Sequence, residues 1–185
     1  MAQNGFYVNM NECSTCKACV IACKDVNDLK VGFNYRHVDE YEGGTYLDIW
    51  AASLSLACNH CAMPACMAVC PVEAISKDPD TGLVAIDQEL CIACQECIAA
   101  CPYGAPVFLP DMDTVNKCDG CRGLLAVGEK PACVASCYTR CLDFGDLEEL
   151  KAAYGSDLTA ALPVLSDPSM TAPSLLIDPK PQMLT

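Results

Sequence analysis

The 185-residue sequence has few of the features that mark membrane, secreted or nucleic-acid-binding proteins. It contains no run of about eighteen apolar residues, the length that a membrane-spanning helix needs, so no direct membrane span is expected. Its opening stretch, MAQNGFYVN, has neither a basic region nor an apolar core, so no signal peptide is expected. Only 11 basic residues stand against 24 acidic ones, and the formal net charge of −13 makes nucleic acid an unexpected partner.

Large side chains and histidines are also scarce. Aromatic residues make up 6% of the chain, although 52% of it is apolar, because alanine and cysteine inflate the apolar total. The chain has 17 cysteines, and metal bound to most of them would then supply part of the folding free energy. Of the two histidines, His37 is expected to be an ordinary strand or surface residue. His60 either fills a loop, the favoured interpretation, or donates to a cysteine sulfur.

Sixteen of the cysteines fall into four runs that share one pattern, which is an internal repeat. Each run opens with Cys-x2-Cys and closes with Cys-x3-Cys, and only the middle gap varies. Run one is Cys13, Cys16, Cys19 and Cys23; run two is Cys58, Cys61, Cys66 and Cys70; run three is Cys91, Cys94, Cys97 and Cys101; run four is Cys118, Cys121, Cys133 and Cys137. Cys141 is left over.

Run three, CIACQECIAAC followed by proline, has the spacing of the bacterial ferredoxin motif. Three cysteines at intervals of three can wrap one [4Fe-4S] cluster. The fourth, at Cys101, where a helix could begin, would point to a second cluster. Four runs therefore predict four clusters with crossed ligands. A zinc site explains the Cys-x2-Cys pairs but not the remaining cysteines, and a disulfide framework fits an odd count poorly.

The linker between runs two and three predicts how the runs pair. It reads PVEAISKDPDTGLVAIDQEL, with a turn signal at 78–82, and is expected to form a hairpin. Runs two and three then make one two-cluster module, and runs one and four pair across it in a second module. In the segment 30–57, two β-prone stretches around Gly43 and Gly44 are expected to pack as added strands. Helices should be short and should follow the last cysteine pair of each run.

The C-terminal region predicts one helix and a tail. In GDLEELKAAYG, Asp146 can cap the helix, Glu149 can complete a capping box, and Gly155 can end it. From Pro163 onward, prolines are frequent and no periodicity is visible, so a loose tail is expected. The apolar stretch SLLI within it favours the alternative, an arm that is ordered against a partner.

Several motifs together resemble the four-cluster iron–sulfur electron-transfer subunits of molybdopterin oxidoreductases, especially those of the dimethyl sulfoxide reductase type. They are GFYVNMNECSTCKACVIACKDVNDL at 5–29, EYEGG at 40–44, CNHC at 58–61, CPYGAP at 101–106, KCDGC at 117–121, LDFGDLEEL at 142–150 and APSLLIDP at 172–179. The resemblance implies an α+β fold of two nested bacterial-ferredoxin-like modules. Their expected bounds are 1–50 with 107–145 for runs one and four, and 51–106 for runs two and three, followed by a helix and Pro-rich arm at 146–185.

The resemblance also implies partners and a location. A large catalytic subunit would hold a bis-molybdopterin guanine dinucleotide cofactor, and a membrane anchor that exchanges electrons with quinol often completes such complexes. The subunit would be assembled in the cytoplasm. It would stay there, associate with the membrane, or be exported folded with its catalytic partner.

Crossed ligation follows from the spacing, and the pairing of runs follows from linker length together with the resemblance. The expected ligand sets are Cys13, Cys16, Cys19 with Cys137; Cys118, Cys121, Cys133 with Cys23; Cys58, Cys61, Cys66 with Cys101; and Cys91, Cys94, Cys97 with Cys70. Cys141 falls where runs two and three have Ala74 and Ala105, so it is expected in a tight apolar contact. A ligand role is its alternative. Lys117 and Arg122 either offset cluster charge or are simply solvated.

The expected function is a one-electron relay in anaerobic respiration, with no catalytic site in this chain. With about −2 contributed by each cluster, the total charge becomes roughly −21. Alternatives that the cysteine pattern leaves open are the electron-transfer subunit of a polysulfide, thiosulfate or catechol-reducing enzyme, a stand-alone polyferredoxin and, less favoured, a zinc-binding structural protein.

Overall fold

A three-stranded sheet joins the two ends of the chain in the computed structural model, which describes residues 3–184. Its central strand β1 (Asn4–Asn9) pairs antiparallel with β8 (Leu142–Asp146) and parallel with β9 (Leu175–Asp178). Phe6 and Val8 belong to the main core, whereas Tyr7 belongs to a small second one, as the two-residue period of a strand requires. The sheet therefore lies between the two cores.

The other strands within residues 3–184 pair as antiparallel hairpins. They are β2 (His37–Thr45) with β3 (Asp48–Leu56), β4 (Ile75–Lys77) with β5 (Val84–Ile86), and β6 (Val107–Leu109) with β7 (Thr114–Asn116). The β4–β5 hairpin confirms the one predicted between runs two and three. Its turn is held by the Asp78 carboxylate, which accepts from the N–H groups of Asp80 and Thr81. The β6–β7 hairpin was not predicted.

The long β2–β3 hairpin confirms the predicted strands but not the role of the two glycines between them. Gly43 and Gly44 lie inside β2, and the turn is made by Tyr46 and Leu47. Gly43 faces Trp50 on β3, and a Cβ at Gly43 would lie 2.7 Å from the indole ring. The missing side chain therefore lets the tryptophan lie across the neighbouring strand.

Short helices carry the third cysteine of each run, and this corrects the expectation that helices would follow the last pair. Cysteines 19, 66, 97 and 133 lie on α1 (Ala18–Val26), α2 (Ala65–Ala68), α3 (Glu96–Ala100) and α5 (Ala132–Ala135); α4 (Arg122–Ala126) follows Cys121. Helix α3 ends just before Cys101, the position at which the sequence allowed a helix to begin. The reason is Pro102, because a residue that precedes proline is sterically driven out of the helical region, and Cys101 is extended.

The predicted C-terminal helix is confirmed as α6 (Leu147–Tyr154). The Asp146 carboxylate accepts from the N–H groups of Glu148 and Glu149, and Gly155, with a φ of 99°, follows the last turn. The Tyr154 ring stacks on Tyr7 of β1 with centroids 3.7 Å apart. Helix α6 therefore covers the side of the sheet that faces away from the main core.

The expected loose tail is wrong. Two 3-10 helices (Pro168–Met170 and Pro181–Leu184) flank β9, whose apolar residues are buried on both faces. Leu175 and Ile177 pack in the main core, and Leu176 packs with Tyr7 and Leu150 on the other side. A run of three apolar residues suits a strand that is covered on both faces. Within residues 3–184, no helix is long and apolar enough to cross a membrane.

Candidate metal centres

The run-two site is a cavity whose wall contains four cysteines from two runs. They are Cys58, Cys61, Cys66 and Cys101. Apolar residues, including Pro64, Ala65, Val84 and Ala105, supply much of the remaining wall. The fourth cysteine of run three thus lies beside the first three of run two.

The run-three site repeats this arrangement with the runs exchanged. Its cavity is lined by Cys91, Cys94, Cys97 and Cys70. Its apolar wall includes Ile75 and Ile86 from the β4–β5 hairpin and Val115 from β7. The exchange of Cys70 and Cys101 is the crossing that the spacing predicts.

The run-one site contains five cysteines rather than four. Its cavity is lined by the expected set, Cys13, Cys16, Cys19 and Cys137, and also by Cys141. Cys137 comes from the segment after α5, so the first and last runs meet although most of the chain separates them.

The run-four site lies where α1 and α5 pack together. Cys23 on α1 and Cys133 on α5 are both buried, at 5% and 3% exposure. The charges of Cys133 and Cys121 act on Cys23, which places these three sulfurs in one neighbourhood with Cys118. Cys19 and Cys23 thus put one helical turn of α1 between the run-one and run-four sites.

The cysteine loops share a backbone conformation that suits an anionic cluster. In run one, Thr15 and Lys17 have φ values of 62° and 59°, and in run three the equivalent Ala93 and Gln95 have 54° and 63°. Alternation of such left-handed residues makes concavities of N–H groups, which are common at iron–sulfur sites. The identical positions in the two runs explain why both loops wrap a cavity in the same way.

Burial of the thiols also fits iron. Burial raises the pKa of Cys23 and of Cys66 to about 12, because a thiolate in an apolar wall loses its hydration. Bound iron would replace these protons and supply the missing positive charge. Within residues 3–184, no group of three or more Cys, His, Asp or Glu residues could hold a metal ion, and a cubane would instead lie between the four sulfurs that surround a cavity.

A buried cation lies between the run-one and run-four sites, and no prediction from the sequence identified it. Arg36 is 1% exposed, its guanidinium carbon lies 4.5 Å from the centre of the Phe6 ring, and Nη1 donates to the carbonyl and hydroxyl oxygens of Ser55. The charges that act on Arg36 are those of cysteines 133, 118, 19 and 23. No sequence signal marks Arg36, since its partners are brought together only by the fold.

Lys117 is a second buried cation, and its interpretation as a solvated residue is wrong. It is 2% exposed, lines the run-two cavity, and donates to the carbonyl oxygens of Val84 and, at 3.1 Å, Cys118. Arg122 is exposed and lies 3.7 Å from the Asp119 carboxylate. Of the two cations that flank run four, only Lys117 is positioned to offset charge inside the fold.

His60 is more than the loop filler that was favoured from sequence. It is fully buried, and Nδ1 accepts a hydrogen bond of 3.0 Å from the N–H of Val84. The ring proton therefore lies on Nε2, which is 4.0 Å from the sulfur of Cys118. His60 thus turns toward a cysteine of run four rather than toward its own run. His37 begins β2 and is half-buried, as predicted for a strand residue.

Cys141 is buried, as expected, but its contacts are not purely apolar. Its sulfur lies 3.4 Å from that of Cys137. Cys13 lines the same cavity, and its interaction with Cys141 lowers the pKa of Cys13 and raises that of Cys141. Comparison of Cys141 with Ala74 and Ala105 predicted a small buried side chain, but it could not predict which atoms surround that side chain.

The four sites follow one another in the order three, two, four, one. The run-three and run-two sites share an apolar cluster that contains Cys97 and Cys66. The run-two and run-four sites adjoin through Cys58 and Cys118, and the run-four and run-one sites through α1. Among the sixteen run cysteines, the exposed ones are Cys94 and Cys16, one in each terminal site. Each terminal site of the row therefore has one exposed cysteine, and the two middle sites have none.

Comparison with known proteins agrees with this geometry. A 4Fe-4S dicluster domain matches residues 50–147, and a 4Fe-4S binding domain matches residues 10–32. The B subunit of anaerobic dimethyl sulfoxide reductase from Escherichia coli strain K12 is 42% identical over 185 residues, covering 96% of this chain and 89% of the relative. The B subunit from Haemophilus influenzae is 40% identical, covering 97% and 90%. Protein NrfC of Escherichia coli strain K12 is 38% identical over 139 residues, covering 74% and 62%.

Proposed function

Because the chain belongs to the family of 4Fe-4S electron-transfer subunits that includes the B subunit of anaerobic dimethyl sulfoxide reductase, we propose that it passes electrons to or from a molybdenum catalytic subunit of that class. As a member of this family it is an iron–sulfur protein with four [4Fe-4S] clusters. The observation that carries the proposal is the row of four sites with one exposed cysteine at each end.

The ligand sets of the proposal are those of the three cysteine-lined cavities and of the buried run-four site. Each site takes three cysteines from the run that names it and one from the paired run, and the sixteen residues of the four runs are all used. The proposed modules are those expected from sequence, with residues 51–106 inserted between 1–50 and 107–145. The β6–β7 hairpin beyond residue 106 also packs on the inserted part, through Phe108 and Val115.

Protein groups around the sites prepare them for electron transfer. When bound, a [4Fe-4S] cluster takes up or releases one electron with little change of geometry. Apolar wall residues such as Ile75 and Ile86 exclude water from the site. Little solvent then has to reorient when the charge of the cluster changes. Arg36 and Lys117 would place positive charge beside the added electron, and within residues 3–184 neither forms an ion pair with a carboxylate. Both cations therefore favour the reduced form.

The proposed orientation follows from the family. The run-one and run-four end would face the molybdenum subunit, and the run-three end, with Cys94, would face a membrane anchor or another donor. The subunit would then be located with the complex that it joins, either at the membrane or with an exported catalytic partner. The strong negative charge of the chain favours basic docking surfaces on both partners.

Reconstitution tests the function directly. The full chain, produced without oxygen, should contain about sixteen irons, and its visible absorbance should bleach on reduction. Mixed with the catalytic subunit of a dimethyl sulfoxide reductase, the reduced chain should be reoxidised only after dimethyl sulfoxide is added. If the chain were reoxidised only with the catalytic subunit of a polysulfide or thiosulfate reductase, that enzyme would replace dimethyl sulfoxide reductase as the proposed partner type. Reoxidation by none of them would contradict the proposal.

A further inference from the structure

The position four residues after the last cysteine of a run meets the sulfur of that cysteine in three of the four runs. In run one, Nδ2 of Asn27 lies 3.8 Å from the sulfur of Cys23. In run three, the N–H of Ala105 donates to the sulfur of Cys101 over 3.4 Å. In run four, the residue is Cys141, with its sulfur 3.4 Å from that of Cys137. In these three runs, the same position of the repeat therefore places a group that can donate a hydrogen bond beside the last cysteine. The group is a side-chain amide, a backbone N–H or a thiol.

Cys141 is a donor in this setting because the other sulfurs at the site are committed. The proposed run-one set already contains four ligands, and a thiolate bound to iron can only accept hydrogen bonds. A fifth cysteine beside such a thiolate keeps its proton and can donate an S–H hydrogen bond to it. The cavity leaves Cys141 3% exposed, so water does not compete for that proton.

Two hydroxyl groups complete the surroundings of the same cluster. Oγ1 of Thr139 lies 3.6 Å from the sulfur of Cys137. Oγ of Ser55 lies 3.4 Å from the sulfur of Cys19, and because Arg36 donates to that oxygen, the hydroxyl proton is free to point at the sulfur. Hydrogen bonds to cluster sulfurs stabilise the more negative, reduced state and raise the reduction potential.

We propose that Cys141 donates a thiol hydrogen bond to the ligands of the run-one cluster and raises its reduction potential, so that electrons are drawn to that end of the row. This inference rests on the ligand sets of the proposed function. It gives the unpaired seventeenth cysteine a role in setting the driving force of the relay, without a place among the ligands.

Redox titration of the full chain, followed by electron paramagnetic resonance, tests this inference. Cys141→Ala should leave the iron content unchanged and make reduction of one cluster three- to tenfold less favourable, where tenfold is about 59 mV for one electron. Cys141→Ser keeps a donor and should restore most of the potential. Asn27→Ala is the matched control, because its amide reaches Cys23, so it should shift a different cluster, the one at the run-four site.

The outcomes separate this inference from the proposed function. A wild-type chain without four clusters would contradict the ligand sets themselves. If the wild type has four clusters, unchanged potentials in Cys141→Ala would overturn the donor role. Loss of iron or a three-iron signal in Cys141→Ala would overturn it too, since Cys141 would then be a ligand.

Discussion

The Nε2 atom of His60 lies 4.0 Å from the sulfur of Cys118, a residue 58 positions later in the chain. The loop of run two therefore reaches the site of run four through the imidazole of His60. Its second nitrogen is held by the N–H of Val84, which fixes both the ring and the position of its proton.

Separating the two roles of His60 needs two substitutions. His60→Ala removes the acceptor for Val84 and the donor to Cys118, so it should lower stability by about 1–3 kcal/mol and lower the potential of the run-four cluster. His60→Asn keeps an acceptor near Val84 but does not reach the sulfur, so it should lower the potential with a smaller loss of stability. Thermal loss of cluster absorbance and a redox titration measure these effects. Equal potentials in both variants and the wild type would contradict the donor role.

Crossed ligation predicts which cluster responds to a single change. Cys70→Ser should perturb the cluster held by run three, because Cys70 lies in that cavity. Cys66→Ser is the control and should perturb the run-two cluster instead. Electron paramagnetic resonance of the two variants distinguishes the signals. A Cys70→Ser variant that lost only the run-two cluster would refute the crossed scheme.

The exposed end of the row predicts a selective defect. Cys94→Ser should block electron uptake from a quinol through the anchor while sparing substrate reduction by an artificial donor that feeds the catalytic subunit directly. Cys16→Ser, at the opposite end, should instead interrupt transfer between this chain and the catalytic subunit. Steady-state assays with the two donors check both. Equal loss of the two activities in Cys94→Ser would count against the orientation.

Arg36 should act on two clusters at once. Arg36→Met removes a buried positive charge between the run-one and run-four sites and should make both clusters harder to reduce, by roughly 60 mV or about tenfold each. Arg36→Lys keeps the charge and should recover much of the shift, although Lys cannot match the contacts of the guanidinium with Ser55. Redox titration with iron analysis is the measurement. A change confined to the run-three cluster would be inconsistent with the position of Arg36.

The C-terminal strand should be required for stability. Ile177→Asp places an unpaired charge in a side-chain site with 0% exposure and should cost more than about 3 kcal/mol, with loss of iron from the purified chain. Leu184→Asp is the matched control, because Leu184 is 54% exposed in a neighbouring 3-10 helix. Soluble yield and iron content compare them. Similar behaviour of the two variants would show that β9 is dispensable.

Sequence reasoning succeeded where the signal was local. Cysteine spacing predicted that fourth cysteines cross between runs, and linker length with the family resemblance predicted that runs two and three exchange theirs. Asp78 and Asp146 indicated a turn and a helix cap. Sequence reasoning failed where a residue acts on a distant segment. The frequent prolines of the C-terminal region favoured a loose tail, although a short strand lies within it. The sequence around Lys117 left a solvated side chain open, because the residues that bury it come from other parts of the chain.

The folded structure also decides which polar residues matter. Arg36 directly precedes β2 and Ser55 lies on β3, so their contact depends on the register of this hairpin, and no motif marks it. His60 was recognised as a possible donor, but its target is fixed by the β5 backbone at Val84 rather than by its neighbours in sequence. Only a folded chain assigns these partners.

The meeting of Cys137 with the first run has a consequence for how the protein is made. A ribosome adds about 5–20 residues per second, so the first three thiols of run one wait on the order of ten seconds before Cys137 is synthesised. The cysteines of runs two and three emerge close together in time. The ligand sets shared by runs one and four can therefore be completed only after the middle of the chain has been synthesised, and β9 is the last strand available to join the sheet.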